Sequence, residues 1–355
     1  MKKIIYIGFK YINGDIKMGE TLDKRFFIDS INTIDGYRAE GLFIDNYSEK
    51  NRDNYILNQI SIKSPDLIFT NIINDEISND VLTQLSKKYI TVNWFGDDQW
   101  RFESFSKQKS KLFKYSITTD KSSYNKYKKE GIKNVIYSQW AAIDINPNIK
   151  INKYKYDISF VGSYSPTRDW ILSRLKSNKI QVNSFGSGWS LTKKISYDQM
   201  MDVFLSSKIN LNLSNSVPKD YDFLLFSLES LISSIYNIFD IGLKQFINDV
   251  FRVLKNVKFF FFYEKNQEQI KARNFEIPAA GGFQITSFAK DLSDYFVEDQ
   301  EIVQFKTIDE LISKCMYYLS NDVKREKIRI KSHSAAHSHT YKLRMKETFD
   351  VIFKT

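Results

Sequence analysis

Short apolar runs alternate with longer segments of helical period along most of this chain, and the alternation predicts its architecture. Ile4–Ile7 reads as a buried strand, followed by a polar loop with glycines over 11–20. Leu22–Ile34 has helical spacing. Gly41–Ile44, Asp66–Thr70 (DLIFT), Tyr89–Phe95 (YITVNWF), Lys114–Thr118 and Asn134–Ser138 read as further strands, with a helix over 77–88 among them. The pattern then restarts. Asp157–Val161 (DISFV) is a strand, 169–177 a helix, Lys179–Ser184 a strand closed by FGSGW, 197–206 a helix and Ile209–Leu213 a strand. After the segment 274–285 come a strand at Glu301–Phe305 and a helix at Ile308–Leu319. Repeated βα units predict parallel sheets covered by helices, hence an α/β chain of two Rossmann-like, doubly wound domains. The expected boundary lies near 147–153, giving domains 1–150 and 151–340. Ligands of such sheets bind beyond the carboxyl ends of the strands, so the loops that follow strands are where chemistry is expected.

One stretch breaks the rhythm. Between Pro218 and Tyr263 the only glycine is Gly242, and two apolar stripes run at helical spacing. Leu224, Leu228, Leu231, Ile232, Ile235 and Phe239 form one. Leu243, Phe246, Ile247, Val250, Phe251 and Leu254 form the other, ahead of four consecutive phenylalanines at Phe259–Phe262. Residues 218–263 therefore read as a helical insertion. Packing on its own domain, a homodimer contact and a peripheral membrane contact are all compatible with it.

Composition narrows the class. The chain has 355 residues, 42% hydrophobic, with 28 Phe, 21 Tyr and five Pro, enough for two cores and little disorder. A single cysteine, Cys315, rules out a disulfide framework and fits a reducing cytoplasm. The opening MKKIIYIGFK is too short a run for a secretory signal, and no window is apolar enough to span a bilayer. The formal charge of +10 admits nucleic acid, an anionic membrane face or a phosphorylated small molecule as partners. The lysines are scattered and no zinc-finger or RNP-type motif occurs, which argues against nucleic acid. The Lys and Asn bias is equally what an AT-rich genome would produce.

Three glycine-bearing turns are the candidate phosphate cradles. Gly162, Ser163 and Arg168 belong to GSYSPTR, which follows a strand and opens a helix. Gly186 and Gly188 close the next strand, and Gly281 and Gly282 form the third turn. Together these turns are expected to line one crevice. Immediately before the third, QIKARNFEIPAAGGFQI places Lys271, Arg273 and Glu276 in a segment read as a turn that offers charge and backbone to a phosphorylated ligand. Glu276 suits ribose hydroxyls, or the dipole of a helix start. Asp97 and Asp98 follow the strand ending at Phe95, the sheet edge where an acceptor-side base belongs, and a plain turn pair would look the same. His333, His337 and His339 have no carboxylate at metal-site spacing.

In this order, YDISFVGSYSPTRDWIL, FGSGW, KINLNLS, QIKARNFEIPAAGGFQIT and HTYKLR resemble the CgeB-like glycosyltransferases, group-1-type enzymes of the GT-B fold, over roughly 157–344. VNWFGDD resembles their N-terminal domain more loosely. The resemblance implies two Rossmann-like domains facing across a cleft. The C-terminal one would hold a nucleotide diphosphate sugar as donor substrate and the N-terminal one the acceptor, with no metal and no separate cofactor. Residues 341–355 would return as a helix to the first domain. The resemblance also implies that Glu276 holds the donor ribose and that Arg168, Arg273 and Lys271 face the diphosphate. Glu268 would stand in the position of a paired glutamate, although the glycines usual between the two are missing. The expected function is transfer of a sugar to a hydroxyl acceptor: a surface polysaccharide, glycolipid or glycoprotein precursor, at the inner membrane face of a bacterial cytoplasm. A non-catalytic, membrane-associated nucleotide-sugar scaffold is the alternative.

Overall fold

The structure is a computed structural model that describes residues 1–151, 153–189, 194–214, 216, 221–265 and 267–354. The chain divides into two compact units, 1–145 with 337–355, and 146–336. Pro218, the start of the expected insertion, lies outside the described residues.

The first unit is built on a parallel sheet of six strands in the order β2-β1-β3-β4-β5-β6. These are β1 (Lys2–Gly8), β2 (Tyr37–Phe43), β3 (Leu67–Thr70), β4 (Ile90–Phe95), β5 (Tyr115–Thr118) and β6 (Val135–Tyr137). In β1, Ile4, Ile5, Tyr6 and Ile7 are all fully buried, as expected of a central strand covered on both faces. The helical spacing at 22–34 resolves into a π-helix over Lys24–Asp29. The last helix, Tyr341–Lys354, belongs to this unit: the Tyr341 ring stacks 4.6 Å from Phe26 and Phe349 4.9 Å from Tyr37. The Ala142 N–H donates to the His339 carbonyl, and the Tyr341 N–H donates to the Ala142 carbonyl, both at 2.9 Å.

The second unit is built on a parallel sheet of five strands in the order β11-β10-β9-β7-β8. They are β7 (Tyr156–Val161), β8 (Asn183–Phe185), β9 (Ser207–Asn212), β10 (Gln284–Ser287) and β11 (Val303–Phe305). The helix Pro166–Ser177 starts with a proline at its first turn and a Ser165 side chain that accepts from the Arg168 N–H. The helix Tyr197–Leu205 starts with a full capping box, Ser196 with Gln199. Ile158, Phe160, Ile209, Leu211 and Ile285 pack against Trp170, Leu175, Leu311 and Cys315. Burial pushes the Cys315 thiol up to about 12, so it is a packing residue rather than a nucleophile.

The structure differs most from the sequence reading at 269–285. The expected turn is a helix, Arg273–Ala280, followed by β10. Pro278 lies inside that helix and costs it one N–H donor, and Gly281 ends it in the left-handed conformation at φ 83°. A Cβ on Gly281 would sit 2.4 Å from Ile149 Cγ2, so only glycine fits this buried helix end. The insertion contains two helices, Tyr221–Tyr236 and Ile238–Phe262, the second broken at Gly242. Among the described residues no helix is long and apolar enough to cross a membrane.

Candidate functional site

Two of the glycine turns come together at the carboxyl edge of the second sheet. The Gly162 N–H donates to the Phe185 carbonyl at 2.9 Å and the Tyr164 N–H to the Ser187 carbonyl at 2.8 Å, so the loops after β7 and β8 are joined. Trp189 Nε1 donates to the Gly162 carbonyl at 2.8 Å. Gly186, at φ 131°, lies where a Cβ would come within 2.4 Å of that same carbonyl oxygen. The two chains can approach this closely because position 186 has no side chain.

Arg168 stands beside these loops. Its Nη1 donates to the Ser163 carbonyl at 2.8 Å, and Nε and Nη2 donate to the Leu213 carbonyl at 3.1 and 2.9 Å. The guanidinium thereby ties the end of β9 to the loop after β7. Burial lowers its pKa to about 10, and the neighbouring Arg273 charge adds to the shift. Glu268 lies close to Arg168, Lys265 and the Ser214 and Ser216 hydroxyls. Burial raises its carboxyl above the ordinary value, while those hydroxyls and cations oppose the rise. Ser214 closes the KINLNLS motif but, like Ser216 and Lys265, was not singled out from sequence; the two serines follow β9, and Lys265 follows the helix Ile238–Phe262.

Arg273 and Glu276 occupy the first turn of the helix Arg273–Ala280 and form an ion pair, Nη1 to Oε2. The Arg273 guanidinium also lies 5.7 Å from the Phe204 ring. Glu276 is fully buried, and Arg273 keeps 28% side-chain exposure. Glu276 Oε1 and Arg273 Nε are buried without a hydrogen-bond partner among the described residues. Lys271 precedes the helix, and its N–H donates to the Asn274 side chain at 2.9 Å. Glu276 is therefore a core carboxylate clamped by an arginine in the first turn of a helix, the alternative reading of its position, and not a residue of a turn.

Gly281 and Gly282 do not join the crevice. They precede β10, whereas Gly162, Gly186 and Gly188 follow β7 and β8, and all five strands are parallel. Gly281 abuts Ile149 and Leu205, and Gly282 abuts the Phe204 carbonyl, groups that come just before β7 and β9. The third turn thus sits at the amino edge of the sheet, a strand length of roughly 10–20 Å away from the other two. It works as a helix stop. Its carbonyl is taken by Arg329, whose Nη1 donates at 2.8 Å.

In the first unit the aspartate pair is divided. Asp98 is fully buried, and Tyr127 Oη donates to its Oδ2 at 3.0 Å. Burial raises the Asp98 carboxyl to about 7, against the pull of the Ser106, Thr118 and Tyr127 hydroxyls. Asp97 is half-buried, so it is the member that a substrate hydroxyl could reach. Sequence reasoning missed Asp23, which accepts from Tyr6 Oη at 2.5 Å and from Asn71 Nδ2 at 3.4 Å, just past the loop after β1. Burial raises its carboxyl too. Of the histidines, His333 is buried with Nδ1 3.0 Å from the Pro278 carbonyl oxygen, and His339 Nδ1 lies 3.2 Å from Arg344.

Residues 237–350 match the family described as Glycosyl transferase-like, about a third of the chain and including the 273–280 helix. Anabaena HepE in complex with UDP-glucose superposes with a TM-score of 0.61 at 10% identity, covering 100% of both chains. The fold is GT-B. Sucrose-phosphate synthase from Thermosynechococcus elongatus gives 0.55 at 10% identity over 100% of both chains. A glycosyltransferase from Rickettsia africae gives 0.51 at 10% identity over 99% of this chain and 97% of its own. Comparison with curated protein sequences returns no significant match.

Two outcomes follow from the buried carboxylates. Arg273→Ala leaves Glu276 as an uncompensated buried charge and should cost about 3–5 kcal/mol in urea unfolding. Glu276→Gln should cost less, and the double variant should recover part of the Arg273→Ala loss; strictly additive effects would mean that the two side chains do not act as a pair. For Asp98, the folded carboxyl, at about 7, holds a proton that the unfolded chain, near 3.8, has released. The stability this group contributes is therefore complete below about pH 4 and lost as pH rises through about 7. Asp98→Asn cannot ionise, so it should gain on the parent between about pH 5 and 8, on the order of 1–4 kcal/mol in the free energy of urea unfolding. A pH-independent difference would contradict the assignment.

Proposed function

We propose that this protein transfers a sugar from a nucleoside diphosphate sugar to a hydroxyl acceptor. The observation that carries this reading is that Arg168, held by carbonyls of the loops after β7 and β9, lies within electrostatic reach of Arg273, beside the glycine turns and a carboxylate with one unpartnered oxygen. Arg168 spends its donors on neutral carbonyls and Arg273 is matched by Glu276, so a diphosphate would add anionic charge beside both. The need for the two guanidiniums grows as the bond from the anomeric carbon to the phosphate oxygen breaks and the leaving diphosphate takes the electron pair. The family match over this helix and the UDP-glucose-bound HepE neighbour support the same reading.

The ion pair also suggests how the donor is admitted. Glu276 is covered by Arg273, so the donor diphosphate would draw Arg273 away and leave Glu276 to accept from the ribose hydroxyls. At the acceptor, Asp97 would take the proton of the attacking hydroxyl in an inverting reaction. A surface polysaccharide, glycolipid or glycoprotein precursor as acceptor, a cytoplasmic location and independence of metal complete the proposal.

A thermal-shift panel of nucleoside diphosphates and their sugars, uridine diphosphate and UDP-glucose included, tests the donor. A ligand at about a hundredfold excess over its Kd adds about 2.7 kcal/mol to the folded state and should raise the melting temperature by several degrees. No shift with any of them would overturn the reading, and a shift without sugar release would favour the non-catalytic scaffold. Asp97→Asn should then lower turnover about 10²–10⁴-fold with donor binding intact. A change below about threefold would remove Asp97 as the base.

A further inference from the structure

The hairpin of Tyr221–Tyr236 and Ile238–Phe262 is built partly inside out. Its base is anchored normally: Phe223 and Phe260 are buried in the core of the second unit, with Phe223 5.8 Å from Trp170. Beyond the base, the buried groups of the two helices include two polar pairs beside Val253, with Leu231, Phe246 and Val250 half-buried. Ser234 Oγ donates to Asp249 Oδ2 at 2.7 Å, and Asn256 Nδ2 donates to Ser227 Oγ at 3.1 Å. All four of these residues are buried.

Many of the large apolar side chains nevertheless face outward. On the first helix Leu225, Leu228, Ile232 and Ile235 are exposed, at spacings of three and four residues that put them on one face. On the second, Leu243, Ile247, Phe251 and Leu254 do the same, and Phe239 at the tip is 98% exposed. Lys244, Lys255 and Lys258 are exposed along or beside that second stripe. A helix pair in water puts its apolar stripes into the seam and its polar groups outside. Polar and small residues in the seam with aliphatic and aromatic residues outside is the arrangement of helices whose solvent is hydrocarbon. Neither helix is long and apolar enough to span a bilayer, which leaves the interfacial position.

We propose that this hairpin lies in the headgroup region of an anionic membrane, with its apolar faces in the acyl boundary and the lysines of the second helix at the phosphates. A second copy of the chain is the weaker occupant. A two-fold contact would set the lysine-edged stripe against itself, whereas an anionic surface neutralises it. The first helix carries Asp222 and Glu229 and no lysine or arginine, so the lysine-bearing second helix is the one placed against the lipid charge. The proposal does not depend on the donor reading, because vesicle binding is read without nucleotide.

Flotation with phosphatidylcholine vesicles, with and without phosphatidylglycerol, tests it, alongside light scattering of the vesicle-free protein. The full chain should rise with the anionic vesicles and be monomeric without them. Phe251→Ser with Leu254→Ser should cut the bound fraction about tenfold or more, at an unchanged melting temperature because both side chains are exposed. Lys244→Glu with Lys255→Glu and Lys258→Glu should abolish the preference for anionic lipid. A chain that stays below both vesicle types overturns the proposal. So does a dimer that the serine pair dissociates without any effect on flotation.

Discussion

A parallel sheet sorts every connecting segment to one of two edges, and in the second unit that sorting decides what can meet a ligand. Segments leaving β7, β8 and β9 emerge at the carboxyl edge, so Gly162, Arg168, Gly186 and Ser214 collect there although up to fifty residues separate them. The helix Arg273–Ala280 crosses from that edge to the other. Its first turn brings Arg273 and Glu276 to the candidate site, while its last residue delivers Gly281 to the far edge against Ile149. Four residues thus separate the last member of a charge cluster, Glu276, from a purely structural glycine pair. Sequence proximity suggested one turn; strand direction made two unrelated places.

Electrostatics then gives the carboxyl edge its character. Arg168 spends its donors on backbone carbonyls and still carries a charge, which burial and Arg273 make costly. Arg273 spends one nitrogen on Glu276 and keeps another unpartnered. A site with buried, imperfectly paired charges is held at some cost by the rest of the core, as expected where a charged ligand completes the pairing. The proposed donor is such a ligand, and the exchange of Arg273 from Glu276 to a diphosphate would make binding and local rearrangement one event.

The hairpin follows the opposite logic. The core of its unit holds its base, and beyond it the helices join partly through hydrogen bonds while many apolar side chains face outward. A lipid-linked acceptor would give such a surface a purpose, since enzyme and substrate would share one plane.

The sequence by itself determined the class and every strand but β10, which lay in the segment read as a turn. Apolar runs such as DISFV and YITVNWF became β7 and β4 because a strand covered on both faces has few other compositions. It also pointed to Gly162, Gly186, Arg168, Arg273 and the two insertion helices, because tight turns, charge and periodicity are local properties. Only the tertiary structure decided that the 273–280 segment is a helix despite Pro278, since the burial of Phe275, Ile277 and Ala280 outweighs one missing hydrogen bond. It alone separated Asp97 from Asp98, which adjacent letters cannot do: Asp98 turns inward to Tyr127 and Asp97 does not follow it. It alone exposed the insertion's apolar stripes. A periodic stripe reads the same in sequence whether it faces a core or leaves it, and which of the two happens depends on where Ser227, Ser234, Asp249 and Asn256 find their partners.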